Sequence, residues 1–190
     1  MVNQNRNSHT TDQVLADSLK ALVVQKPVEK ITIKEITDQA GVIRPTFYNH
    51  FQDKYELLEW IIREEILEPT HPLIRNGLTN QAVLLVFTSL LREKEFYSRL
   101  SRMDGSITFE DLVTRCIKEM LAELFSERVR NKNGRFPWMT VDMLAEYYAR
   151  SMCFSVKVWI RQGMTVPPQE MADMYEYLMT HSMEQAIEEV

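Results

Sequence analysis

Residues 44–51 read Arg-Pro-Thr-Phe-Tyr-Asn-His-Phe, and Gln-Asp-Lys-Tyr-Glu-Leu-Leu follows at 52–58. Three aromatic rings, a histidine, an amide and a hydroxyl fall within eight residues. As a helix, this stretch stacks Phe47 and Phe51 on one face at i, i+4. Thr46, Tyr48, Asn49 and His50 then point elsewhere, giving a polar face rich in hydrogen-bonding groups and poor in charge.

The flanks place this helix. Upstream, residues 31–41 read ITIKEITDQAG, and Thr32 and Glu35 have capping-box spacing. Ile33, Ile36 and Ala40 form an apolar stripe, and Gly41 is positioned to close the helix in a left-handed conformation. Pro45 suits the first turn of the next helix, where its missing N–H costs no helical bond. Asp53 is the expected N-cap of a fourth helix beginning at Lys54. Earlier, from Thr11, Leu15, Leu19, Leu22 and Val23 share one helical stripe that Lys26-Pro27 ends. Residues 1–10 are polar and are expected to form a disordered tail, with Arg6 either part of it or an arm reaching a DNA groove.

A capped helix, a glycine stop, a tight connection and a second short helix describe a helix-turn-helix. In such a unit one face of the second helix packs on its neighbours, as Phe47 and Phe51 can. The other lies in the major groove, where hydroxyls, amides and imidazoles read base edges. The segment TIKEITDQAGVIRPTFYNHFQDKYELL, residues 32–58, resembles the DNA-binding signature of the TetR family of bacterial transcription regulators, a likeness that spans about residues 11–60.

The resemblance implies a dimer with N-terminal DNA-reading heads and a ligand-responsive C-terminal domain. It implies that Thr32 caps its helix and touches a phosphate, and that Arg44, Thr46, Asn49 and His50 face the groove. Tyr48 and Lys54 would bond the DNA backbone, while Phe47 and Phe51 belong to the head's core. For Lys54 an exposed salt bridge with Glu56 or Glu59 is the alternative. Ile43 and Pro45 depart from the family pattern, which usually has a Ser or Thr cap and a small residue there. Further on, VWIRQGMTVPPQEMADMYEYL, residues 158–178, resembles a TetR subgroup that includes the activator of dihydroxyacetone kinase operons.

The whole chain fits an all-α protein. It has 190 residues, 45% of them hydrophobic, with only 5 glycines and 7 prolines, so a buried helical core is expected. The net charge of -5 is uneven: residues 1–54 hold 7 basic and 6 acidic side chains against 15 and 21 in residues 55–190. A near-neutral head on an acidic body is compatible with a DNA-reading head. Cys116 and Cys153 lie far apart in apolar contexts, so buried thiols are expected, with no metal site and no cofactor. His9, His50, His71 and His181 lack a spaced nucleophile or ligand partner, and no glycine-rich phosphate loop occurs, so an enzyme is not expected. The polar N-terminus lacks a signal-peptide core and no apolar run spans a membrane, which predicts a cytoplasmic protein.

The expected organisation is a tail at 1–10, a helix-turn-helix head at 11–54 and a helical effector-binding and dimerisation domain at 55–190. The body reads as helices over 80–100, 108–130, 141–162 and 168–188, with loops around 102–106 and 131–138. Its methionines and aromatics are mostly core. A subset of Phe87, Phe96, Tyr97, Phe109, Met120, Phe125, Tyr148, Met152 and Trp159 is expected to line an effector cavity. Met152, Trp159, Met171, Met174, Tyr175, Leu178 and Met183 are the expected dimer interface, a thickly buried monomer core being the alternative. The functional expectation is a homodimeric repressor that binds a palindromic operator and is released by a small molecule. An activator or co-regulator responding through a protein partner is the alternative.

Overall fold

The capping signals around Thr32 and Gly41 fix the first half of the fold. A computed structural model describes residues 2–128, 136 and 138–188, with side chains from residue 10 onward. Helix α1 (Val2–Gln25) buries Leu15, Ala16, Leu19, Leu22 and Val23 on one stripe and ends before Pro27. Its backbone is helical through the stretch the sequence reads as a tail, because no glycine or proline interrupts residues 2–25. The side chain of Arg6 lies outside the described residues. A 3-10 turn (Val28–Lys30) leads to α2 (Ile33–Ala40).

Thr32 and Glu35 form the full capping box, and Gly41 closes α2 at φ 69°, a left-handed conformation that glycine adopts without strain. The turn delivers the chain to α3 (Arg44–Tyr48), with Phe47 fully buried and Phe51 nearly so. Asp53 caps α4 (Lys54–Ile62), its carboxylate accepting from the Tyr55 and Glu56 amides at 2.7 and 3.0 Å.

The exit from α4 differs from the expected single helix. The backbone widens into a π turn (Arg63–Leu67), tightens into a 3-10 turn (Glu68–Thr70) at Pro69, and continues as α5 (His71–Arg75). The helix expected over 80–100 is two, α6 (Thr79–Arg92) and α7 (Lys94–Leu100), split at Glu93. Glu93 leaves the helical region (φ -108°, ψ 37°), and its carboxylate meets Lys20 of α1.

Helices α8 (Phe109–Arg128) and α9 (Val141–Arg161) pack along each other, and α10 (Pro168–Thr180) packs on α6. The loop expected at 131–138 lies outside the described residues except for Phe136 and Trp138. The last predicted helix is also two. Residue 181 leaves the helix with its ring stacked on Tyr177, and Ser182 and Gln185 form a new capping pair that starts α11 (Met183–Glu188).

One continuous apolar core joins head and body. Trp159 is its largest fully buried side chain, set edge-on to Phe87 at 5.1 Å and donating from Nε1 to the Val166 carbonyl at 2.9 Å. The turn after α9 is a Schellman motif: Gly163 (φ 80°) donates to Ile160 O and Met164 to Trp159 O. Met164 is buried, as the apolar contact of that motif requires. This explains why tryptophan, glycine and methionine occur at that spacing. Among the described residues no β-strand forms, and no helix is long and apolar enough to cross a membrane.

Candidate functional site

The exposed part of α3 is its N-terminal end and outer face. Arg44, Pro45, Tyr48 and Asn49 are exposed and Thr46 is half-buried, while Phe47 and Phe51 face the core. Arg44 donates to the Tyr48 hydroxyl at 3.1 Å and lies over its ring, so the two form one exposed cationic patch. The open side of α3 thus carries Arg44, Tyr48 and Asn49, with Thr46 at its edge.

Two expected contacts are placed differently. His50 is turned back towards α1, with Nδ1 2.7 Å from Asp12 Oδ1 and both side chains mostly buried. It braces α3 against α1 instead of lying beside Asn49. Lys54 is also turned inward. Its ammonium donates to the carbonyls of Val28 (2.7 Å), Glu29 (3.0 Å) and Ile31 (2.8 Å), which uses all three protons. No bridge to Glu56 or Glu59 is formed, and burial holds the Lys54 ammonium below its ordinary pKa. The sequence hid this because Lys54's partners are backbone atoms.

Thr32 is exposed but its hydroxyl is engaged within the capping box. Bonding from Lys26, then from the Thr32 amide and hydroxyl, lowers the Glu35 carboxyl to about 2. The exposed cations that sequence reasoning passed over are Lys30 and Lys34, which form no ion pair among the described residues.

The body contains an apolar cavity of about 230 Å³ between α6, α8, α9 and α10. Met120, Phe125, Tyr148 and Met152 line it, with Tyr175, Val83, Val86 and Met179. Phe87, Phe96, Tyr97, Phe109 and Trp159 do not: each is buried in the core away from it. Leu67, Thr70 and Ile74 complete the wall, from the segment that continues α4 out of the head. Burial raises the Tyr175 hydroxyl's pKa, so it stays a neutral donor there. Arg128 stands at the mouth, donating to Ile74 O at 2.7 Å.

A polar lock ties α1 to this region. Lys20 Nζ meets both Glu65 oxygens at 2.9 Å and Glu93 Oε1 at 3.1 Å, and Gln13 also donates to Glu65. Burial alone would lower the Lys20 pKa, but the bonds and charges of Glu65 and Glu93 outweigh it and leave it raised. The lock joins the head's first helix, the π turn after α4 and the α6–α7 junction.

The expected interface residues divide. Trp159, Met171 and Tyr175 are buried within the chain, and Met152 lines the cavity, because α6, α8 and the 162–167 connector already cover those faces. Met174, Leu178 and Met183 are exposed. Tyr147 and Phe154 on α9 and Ile187 on α11 are exposed too.

Comparison with known proteins agrees with this architecture. Residues 16–61 match the model of bacterial regulatory proteins of the tetR family, and residues 79–181 that of a transcriptional regulator C-terminal region. The chain belongs to the TetR family. As a TetR-family protein it is a transcriptional regulator and not an enzyme.

Among TetR-family relatives, the HTH-type dhaKLM operon transcriptional activator DhaS of Lactococcus lactis subsp. lactis (strain IL1403) is 24% identical over 163 residues, 83% of each chain. The transposon Tn10 TetC protein of Escherichia coli is 33% identical over 64 residues, 34% of this chain and 32% of its own. The fold matches the structure of the dihydroxyacetone kinase operon activator DhaS at TM-score 0.60 and 21% identity, over 88% of this chain and 93% of the other. NalD, the secondary repressor of the MexAB-OprM multidrug efflux pump in Pseudomonas aeruginosa, matches at TM-score 0.56 and 19% identity, over 88% and 92%.

Proposed function

We propose that this TetR-family chain is a cytoplasmic homodimeric repressor that reads a palindromic operator with α3 of each head and releases it when a small molecule enters the body cavity. The observation that carries the release mechanism is the cavity wall. Leu67 ends the π turn that extends α4, and Thr70 and Ile74 follow it, so a ligand pressing on them acts on the helix that leaves the head. A ligand shifts this equilibrium only if it binds one head arrangement better than the other. The apolar, aromatic and methionine-lined walls suit a small neutral amphipathic molecule whose polar atom meets Thr70 or Tyr175.

What supports the dimer is the uncovered apolar surface of the C-terminal helices. Tyr147 and Phe154 stand seven residues apart on one side of α9, and Met174 and Leu178 four apart on α10. Two such surfaces cover each other in an isologous pair. The exposed cations Lys30, Lys34 and Arg44 would supply attraction to phosphate in place of Lys54.

The likeness to the transcriptional activator DhaS over most of both chains favours a second reading, an activator, whose response we take to run through a protein partner. One experiment separates the two. Small neutral aromatics and short-chain amphiphiles are screened for thermal stabilisation of the full chain, and each hit is titrated into the operator complex. Release of operator supports the repressor. Retention of operator, with transcription rising only when a second protein joins the complex, supports the activator.

A further inference from the structure

Ile43 has no structural duty that its side chain explains. It is 68% exposed, so it is not core, and it occupies the N-cap of α3 with no side-chain bond to the helix. Thr32, Asp53 and Thr140 cap α2, α4 and α9 through their side chains, whereas α3, like α6 behind Leu78 and α10 behind Pro167, has no side-chain cap. Pro45 explains how α3 does without one. A cap side chain accepts from the second or third amide of the helix. Pro45, at the second position, has no amide, and the third, Thr46, already donates to the Ile43 carbonyl at 2.9 Å. Position 43 is thereby released from capping and carries an aliphatic side chain into solvent, beside the exposed Arg44 and Pro45.

We propose that Ile43 is a specificity-determining residue that packs on the C5-methyl group of a thymine in each operator half-site. The inference rests on the reading of α3 as the DNA-contacting helix. In a helix-turn-helix the N-terminal end of the second helix meets base edges. Within the major groove the thymine methyl is the apolar feature, and the remaining edge atoms are hydrogen-bond donors and acceptors that a branched alkyl group leaves unsatisfied. Ile43 therefore selects a T·A pair at its position and disfavours G·C there by desolvation.

The test uses full-length protein and duplexes recovered by it from a randomised DNA pool. Each thymine is replaced singly by uracil, which removes the methyl and keeps the pairing edge. The parent should lose about fourfold in affinity per half-site at one thymine, the worth of one buried methyl. Ile43→Ser should bind the thymine duplex as weakly as the parent binds the uracil one and be indifferent to the replacement, while Ile43→Val keeps the preference. Melting curves confirm that both variants fold, as an exposed position with no cap bond predicts. If parent and Ile43→Ser respond alike to uracil at every position, Ile43 reads no methyl and the proposal falls. If the parent enriches no sequence at all, the DNA-reading assignment of α3 itself falls.

Discussion

Lys54 Nζ stands 2.7 Å from the Val28 carbonyl oxygen and closes the open end of the 3-10 turn with its two remaining protons on Glu29 and Ile31. A lysine at the start of α4 therefore holds the α1–α2 connection to the rest of the head.

Replacing Lys54 by alanine should cost about 2 kcal/mol of stability, since charge-assisted bonds are lost and partly buried carbonyls are stranded. Urea denaturation measures it. The salt dependence of DNA binding should change by less than one counterion per protomer. An unchanged urea midpoint with a flattened salt slope would return Lys54 to the phosphate backbone.

The Lys20–Glu65–Glu93 lock makes a second prediction. Lys20→Met removes one cation from between two mostly buried carboxylates and should destabilise the chain by about 2 kcal/mol. Adding Glu65→Gln removes one of the uncompensated charges and should recover part of the loss. Strict additivity of the two changes in a double-mutant cycle would show that the lock is not energetically coupled.

Acid should loosen the head first. The Glu35 carboxyl is held at about 2 in the folded chain against an ordinary 4.5. A depressed folded pKa means the stabilisation is complete above 4.5 and is lost as pH falls towards 2. Glu35→Gln should therefore flatten the decline in melting temperature across that window and lower it at neutral pH. A variant whose melting temperature follows pH as the parent's does would rule out this role.

The proposed dimer depends on surface that one chain leaves uncovered. Phe154→Glu on α9 should shift sedimentation equilibrium towards monomer without unfolding, because Phe154 is 69% exposed within the chain. Trp159→Ala should instead reduce stability by about 3–5 kcal/mol, as a core truncation does. Equal dimer affinity for Phe154→Glu and the parent would move the interface elsewhere.

What was legible in the sequence was local. Thr32, Glu35 and Gly41 mark α2 because caps act within one turn, and Phe47 and Phe51 declare their face by spacing alone. The intramolecular partners of Lys54 and His50, carbonyls at 28–31 and Asp12, were not legible, because they are recognisable only once the chain has folded. The splits at Glu93 and residue 181 carried signals of different strength. Ser182 and Gln185 spell a cap that was readable, whereas the break at Glu93 arises with the pull of Lys20 from another helix. The cavity and the exposed stripe of α9 and α10 depend on which helix faces meet. Helical periodicity marks Trp159 and Phe154 alike as apolar, and only tertiary packing sends one inside and the other out.

In the proposed regulator, the outer face of α3 in each of two heads reads an operator. Footprinting of the full-length chain on the DNA flanking its own gene tests it most directly, with Asn49→Ala as the comparison. Two inverted half-sites should be protected, and the variant should lose about 1–3 kcal/mol of discrimination at a single base pair in each. Protection of one unrepeated site, or identical base preferences for the parent and Asn49→Ala, would contradict it.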